Sequence, residues 1–309
     1  GLLAKHSAAW AGPRPVADRV DVIILGDRVV DIACNLGVVP AAMSVRCSLW
    51  PMCDKLVNAS QVLGCPNCVF NKKAAPVLAA ARERGINRVI IEKHPDYCKY
   101  MDVSPEDLAV FLKDKNIAIE YVDFSEGLES AIYKTADLLN RKDKAESLIK
   151  EYKKQTARKE EKLAGFSKGG KVVILNGIYQ EPTGRSVLRV EAPGGYADEF
   201  ILGPLGWINK GGAFQADSGK PSKGHYMVKK RRQGLVLTPL ITAQPDVIVM
   251  TGDSFAVQKA ISRAIEQTPE LLEVPAIKNN AIYTLPAYVD ASVIEYPALF
   301  CRWADALAR

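Results

Sequence analysis

One stretch constrains this chain more than any other: EGLESAIYKTADLLNRKDKAESLIKEYKKQTARKEEKLAGF, residues 126–166. Ile132, Thr135, Leu138 and Leu139 recur at helical spacing, and so do Ala145, Leu148, Ile149 and Tyr152. Asn140-Arg141-Lys142-Asp143 interrupts the apolar stripe. The pattern predicts one helix ending near Asn140 and a second from about Asp143 to Leu163. Beyond Tyr152 the residues are mostly Lys, Arg, Glu and Gln, a solvated helix face with i,i+4 charge pairs. A helix of about 20 residues spans roughly 30 Å and is stiff where a Gly/Ser linker is not. The expected organisation is an N-terminal α/β lobe over 1–125, connecting helices over 126–166, and a C-terminal α/β lobe over 167–309. The fold class is α/β: two Rossmann-like lobes joined by a long rigid α-helix, with a ligand cleft between the lobes.

Both flanks of the helical stretch alternate strands with helices. In the first, RVDVIIL (19–25) reads as a buried strand that Gly26-Asp27 turns into a short helix, ended by Gly37. Further strands are expected at 38–45, 88–92 and 117–122, with helices at 74–84 and 105–115, the latter capped by Ser104 with Pro105 at its first position. Residues 46–64 read as a cysteine-bearing loop. In the second flank, KVVIL (171–175), DVIVM (246–250) and AIYTL (281–285) read as strands. Helices are expected within 194–205 and at 238–243, 255–267 and 297–307, and the Gly-, Lys- and Ser-rich stretch 206–234 as a long loop. Strands separated by helices imply largely parallel sheets. Residues 1–19 read as an irregular entry.

Length and composition narrow the function. The chain has 309 residues, 48% hydrophobic and 25% charged, which is globular composition with room for two domains. No run of about 18 apolar residues is present, so no membrane-spanning helix is expected. One basic run, Lys229-Lys230-Arg231-Arg232, lacks the aromatic strand or recognition helix of a nucleic-acid binder, and no nucleic-acid partner is expected. Catalytic signatures are missing: no nucleophile elbow, His-Glu-x-x-His, phosphate loop or dinucleotide fingerprint occurs, and the chain holds 3 histidines. The protein is read as a non-enzyme with no organic cofactor.

The 7 cysteines are the oddest feature, 6 of them in the first third: Cys34, Cys47, Cys53, Cys65, Cys68 and Cys98, with Cys301 near the end. Cys65-Pro66-Asn67-Cys68 with Cys47 and Cys53 upstream suits a soft metal or an iron–sulfur cluster. One or two disulfides, or burial as small apolar side chains, account for the same residues. Cys34 and Cys301 sit on apolar helix positions and read as core.

The order of RVDVIILGDRVVDIACNLGV, LLNRKDKAESLIKEYKK, QPDVIVM and VPAIKNNAIYTLP resembles the helical-backbone (class III) substrate-binding proteins of ABC importers, over about residues 19–308. The resemblance implies a periplasmic or extracellular, membrane-associated receptor. It implies a monomer that hands an iron or other metal complex (siderophore, haem, cobalamin or a bare metal species) to an ABC permease and its ATPase. Iron or another transition metal would arrive as part of the transported ligand. Relatives carry a docking Glu early in a surface helix of each lobe. The corresponding stretches here, 71–84 and 237–243, offer Glu83 and no acid respectively.

Ligands of open α/β sheets sit beyond the carboxyl ends of the strands. That rule selects Cys47, Cys53, Cys65, Cys68 and Cys98 as candidate metal ligands. It also selects Arg46, His94, Tyr179, Arg185, Tyr196, Lys223, His225 and Tyr226 as candidate ligand contacts. Arginine pairs bidentately with carboxylates, lysine supplies a point charge, and tyrosine stacks on a large organic ligand. Arg189 and Lys229 could likewise neutralise an anionic ligand, Trp207 could stack on it, and Met227 belongs with His225 and Tyr226 to a run that could offer a metal or ring contact. Two other readings use the same residues: a metal-cluster oxidoreductase of nitrogenase-like two-lobed shape, and a ligand-sensing module without a permease.

Overall fold

A computed structural model of the protein describes residues 18–308 apart from Lys168, Glu181, Pro182, Gly184 and Gln233. The expected entry segment at 1–19 falls almost wholly outside the described residues. The chain divides into two compact units. The first comprises residues up to Tyr97 with Val103–Ile149, the second Cys98–Asp102 with the residues from Lys150 on.

The first unit contains, in order, β1 (Asp18–Leu25), α1 (Asp27–Asn35), β2 (Val38–Ser44), α2 (Met52–Leu56), β3 (Gln61–Val62), α3 (Pro66–Asn71), α4 (Ala75–Arg84), β4 (Arg88–Lys93), α5 (Ala109–Leu112), β5 (Ala118–Asp123), α6 (Leu128–Leu138) and the start of α7 (Lys142–Ala164). Its sheet runs β3-β2-β1-β4-β5 with every pair parallel. A central parallel strand is covered on both faces, so it needs an unbroken apolar run. Val22, Ile23, Ile24 and Leu25 supply it at full burial. Strand order reverses direction between β1 and β4, which makes their carboxyl ends the topological switch point.

The break between α6 and α7 has a local cause. Asn140 adopts φ 55° just past the end of α6, and the Arg141 amide returns to the Ala136 carbonyl at 2.7 Å. Asn tolerates that left-handed conformation better than other non-glycine residues, which makes it a helix stop. The predicted helix at 105–115 is shorter than expected: a 3-10 turn at Pro105–Leu108 leads into α5, which ends at Leu112. Left-handed Asp114 and Asn116 follow. The expected loop over 46–64 contains α2 and β3.

The second unit continues with β6 (Gly170–Gln180), β7 (Arg185–Glu191), β8 (Trp207–Asn209), α8 (Gln215–Ser218), β9 (His225–Met227), α9 (Pro239–Ala243), β10 (Val247–Gly252), α10 (Ser254–Gln267), α11 (Pro275–Lys278), β11 (Ile282–Thr284) and α12 (Tyr296–Leu307). Its sheet runs β11-β10-β6-β7-β9, with β8 beside the start of β6. β11, β10, β6 and β8 pair in parallel, while β6–β7 and β7–β9 are antiparallel, so the sheet is mixed. Two expectations are corrected here. The strand predicted at 171–175 runs on to Gln180, and residues 185–191, for which no strand was expected, form β7. The predicted loop over 206–234 holds β8, α8 and β9. These strands are short and set between glycines, so their alternation is only three residues long in β8 and β9. Leu188 and Val190 of β7 point into one core layer with Leu175, Ile248, Met250 and Tyr226. The opposite layer is built on Ile174, Val249, Trp207, Phe300 and Trp303.

Candidate functional site

In the first unit the switch point is filled by the protein's own charges. Gly26 has φ 125°, and a Cβ there would collide with the Glu92 side chain, so only glycine lets β1 turn into α1 beside β4. Glu92 is fully buried and accepts from the Arg28 backbone amide at 2.9 Å and from Arg28 Nη1 at 3.4 Å. Its carboxylate occupies the first turn of α1, where the orphan amides and the helix dipole favour an anion. Burial pushes its pKa up to about 7; Arg28 pulls it down and Asp27 pushes it further up.

Beside it Arg46 is 9% exposed. Its Nε lies 2.6 Å from Asp27 Oδ2, its amide donates to Asp27 Oδ1 at 2.9 Å, and its Nη1 donates to the Tyr97 carbonyl at 2.7 Å. The guanidinium also sits over the Tyr97 ring at 4.2 Å, and the Tyr97 hydroxyl donates to Asp27 at 2.7 Å. Arg46 is therefore a buried structural cation that ties the ends of β1 and β2 to the segment after β4, which corrects its expected role as a ligand contact. His94 is half-buried, and its Nδ1 accepts from the Asp96 amide at 2.9 Å. An amide can only donate, so the neutral ring carries its proton on Nε2 and offers a donor rather than a metal lone pair. Burial, and then the Arg28 charge, hold its pKa down at about 4.

The candidate metal centre does not assemble. Cys47 and Cys53 are joined as a disulfide, which removes both thiolates and corrects their expected role as ligands. Cys65 and Cys68 have their sulfurs 2.9 Å apart. Cys98 groups with the second unit. Among the described residues no set of three or more His, Cys, Asp and Glu side chains is arranged to hold a metal ion. An iron–sulfur cluster held by Cys47, Cys53, Cys65 and Cys68 needs four thiolates, and two of these are in the disulfide.

The second unit gathers its polar groups on one sheet face near the carboxyl ends of β6 and β10. Asn176 on β6 faces Arg189 on β7, and Arg189 faces Met227 on β9. Strand residues two apart share a face, which brings Glu191 and His225 onto the same side. Arg189 donates to Asn176 Oδ1 through Nη2 at 2.8 Å and Nε at 3.3 Å, and Asn176 Nδ2 donates to Thr251 Oγ1 at 3.0 Å. Among the described residues no carboxylate lies within ion-pair distance of this half-buried guanidinium. Burial pulls its pKa down, and Asp290 at longer range pulls it back up. His225 has the opposite tautomer to His94. Its Nδ1 lies 3.0 Å from the Lys223 carbonyl, which can only accept, so Nε2 keeps its lone pair. That arrangement, with the second ring nitrogen fixed by a carbonyl, is how metal-ligating histidines are oriented. Burial lowers its pKa, the Lys223 hydrogen bond raises it in part, and the Arg189 charge adds to the lowering.

An aromatic row completes the unit. Tyr196, Phe200, Tyr288 and Tyr296 stack successively: ring centres are 6.2 Å apart for Tyr196–Phe200, 4.6 Å for Phe200–Tyr288 and 4.3 Å for Tyr288–Tyr296. Tyr100 meets Tyr196 edge-on at 5.5 Å. Of the other expected contacts, Arg185 and Lys223 are exposed, and Tyr179 is 47% exposed near the end of β6. Tyr226 is 5% exposed within the opposite core layer, so it is a core residue and not a ligand contact. Asn176, Thr251 and Tyr288 stand outside the residues singled out as ligand contacts, whereas Arg189 is named among the possible counter-charges for an anionic ligand. Strand parity supports its placement, since Leu188 and Val190 face the core.

No family model matches the chain, and no curated protein matches it. Solved structures do. The periplasmic heme-binding protein BhuT in complex with two hemes aligns at TM-score 0.56 and 15% identity, over 94% of this chain and 100% of that one. The periplasmic heme-binding protein RhuT from Roseiflexus sp. RS-1 aligns at 0.55 and 14%, over 94% and 98%. The iron-uptake system-binding protein FeuA from Bacillus subtilis aligns at 0.55 and 16%, over 93% of each chain. These neighbours are binding proteins, and at such identities the similarity establishes architecture. With its parallel sheet, its mixed sheet and the helix between them in sequence, the chain has the fold of the class III substrate-binding proteins of ABC importers.

Proposed function

We propose that this protein is the substrate-binding component of an ABC importer, working in the periplasm or outside the cell, that captures a planar or aromatic metal complex bearing acidic groups. Haem and ferric siderophores are the ligand classes, and a permease with its ATPase is the partner. The observation that carries the reading is Arg189: a half-buried cation with a neutral amide as its hydrogen-bond partner, on the sheet face it shares with His225. Burying a cation is costly without a counter-charge, and an acidic ligand supplies one. Arg189 would pair with a ligand carboxylate, and His225 Nε2 would offer a metal or hydrogen-bond contact. The Tyr196–Tyr288 row would receive an aromatic surface by stacking. The fold similarity to heme-binding and iron-uptake proteins supports the same reading.

The test is titration of the protein with haem and with a ferric tris-catecholate, followed by absorbance and calorimetry. At least one should bind with saturable stoichiometry. Arg189→Ala should weaken it by about 10- to 100-fold, the worth of a charge-assisted hydrogen bond. Failure of both ligands to bind, or an unchanged affinity in Arg189→Ala, would refute the proposal.

A further inference from the structure

We propose that Cys65 and Cys68 are a thiol–disulfide couple that exchanges with small-molecule disulfides, independently of any ligand bound by the second unit. The two sulfurs are 2.9 Å apart, and Cys65 Sγ also accepts from the Cys68 amide at 3.4 Å. Pro66 fixes the first helical residue of α3 between them. The segment is held on both sides. Upstream, the Gly64 carbonyl accepts from Ser44 Oγ at 2.9 Å and from the Val45 amide at 3.2 Å. Downstream, Val69 is fully buried in the first unit's core. The thiols therefore meet without a loop having to close first, so little further chain ordering opposes bond formation. Cys68 is exposed and Cys65 half-buried, which assigns their roles: Cys68 meets the reagent and Cys65 resolves.

The chemistry balances with a disulfide R–S–S–R as oxidant. Cys68 thiolate attacks one reagent sulfur, the reagent S–S bond breaks, and one RS⁻ leaves. Cys65 thiolate then attacks Cys68 Sγ, the mixed disulfide breaks, the Cys65–Cys68 bond forms and a second RS⁻ leaves. The protein loses two electrons and two thiol protons, and the reagent becomes two RSH. Neither sulfur takes part in the Cys47–Cys53 disulfide.

The experiment incubates the full chain in glutathione buffers of increasing oxidised fraction, traps free thiols with an alkylating agent, and maps the modified peptides. The expected result is loss of alkylation at Cys65 and Cys68 together, with no glutathione adduct, while buried Cys301 stays fully alkylated after denaturation. Cys65→Ser should instead accumulate a stable glutathione adduct on Cys68. Persistence of both thiols at high oxidised glutathione would overturn the proposal. So would an adduct on wild-type Cys68 that is as stable as in Cys65→Ser. If the serine variant fails to fold, the wild-type map decides alone, because only a resolving partner removes both thiols without leaving an adduct.

Discussion

Glu92 links burial to acidity at the scale of a single residue. In the unfolded chain its carboxyl ionises near its ordinary value of 4.5, whereas in the folded protein burial holds the proton up to about pH 7. Between those values the native state binds more protons than the unfolded state, so stability falls as pH rises. The stabilising contribution is complete below about pH 4.5 and lost above about 7, on the order of 3 kcal/mol in all. His94 acts in the opposite sense: kept neutral down to about pH 4, it makes stability rise as pH climbs towards 6.5. Asp27, Arg28 and Arg46 face Glu92 and stay with it. The difference between wild type and Glu92→Gln therefore isolates Glu92. Urea midpoints at pH 5 and pH 8 should drop less with pH in the variant; parallel curves would show that this carboxyl does not titrate as described. The functional residues were legible unevenly. Arg46 was singled out correctly as standing beyond a strand end, but spacing alone cannot distinguish a cation that meets a ligand from one that meets Asp27. Tyr226 reads in the sequence as a loop residue open to a ligand, because a three-residue strand leaves no alternation from which its inward face could be read.

Single elements depend on a few local groups. Asp253 caps α10 by accepting from the Ala256 amide at 2.9 Å, and its own amide donates to the Gly177 carbonyl at 2.9 Å, so the cap also pins the helix to β6. Asp253→Ala should cost about 1 kcal/mol through the lost cap, read as a lowered urea midpoint; Asp253→Asn should recover most of it. A midpoint unmoved by the alanine change would deny the cap its role. The Cys47–Cys53 bond closes a small loop with a sequence separation of 6. Replacing both residues with serine should destabilise the protein by about 2 kcal/mol on the chain-entropy account, with equality to wild type in calorimetry as the contrary result. The long elements were predicted well because their period repeats many times: α6 and α7 divide at Asn140 as the interrupted stripe predicts. β7, β8 and β9 were not: β8 and β9 offer three residues of alternation each, and the register of β7 comes from its pairing with β6.

For the whole molecule, the alternation of strands and helices made the α/β architecture readable, and the similarity to solved substrate-binding proteins agrees with it over nearly the entire length. The candidate site was less readable, since it depends on which side chains a mixed sheet brings to one face. The proposed binding face predicts where a ligand acts. Saturating haem, at about 100 times its dissociation constant, should slow exchange of β7 and β9 amides that open only by unfolding. The limit is the linkage energy of about 2.7 kcal/mol. Protection confined to β1 and β4, with β7 and β9 unchanged, would move the site to the other unit.

The five residues Cys98–Asp102 carry a consequence for anyone dissecting the protein. They belong to the second compact unit although the chain around them builds the first. Tyr100 packs so closely on Gly224 and Gly195 that a side chain at Gly224 would strike its ring, and the Lys99 amide donates to the Tyr196 hydroxyl at 3.2 Å. No single cut in the polypeptide yields the second unit whole. A fragment beginning at the long helix would lack its tyrosine wedge, and the excised first half would carry that wedge with nothing to hold it. Modularity in space is thus not modularity along the gene, and an isolated second unit would need residues 98–102 grafted back.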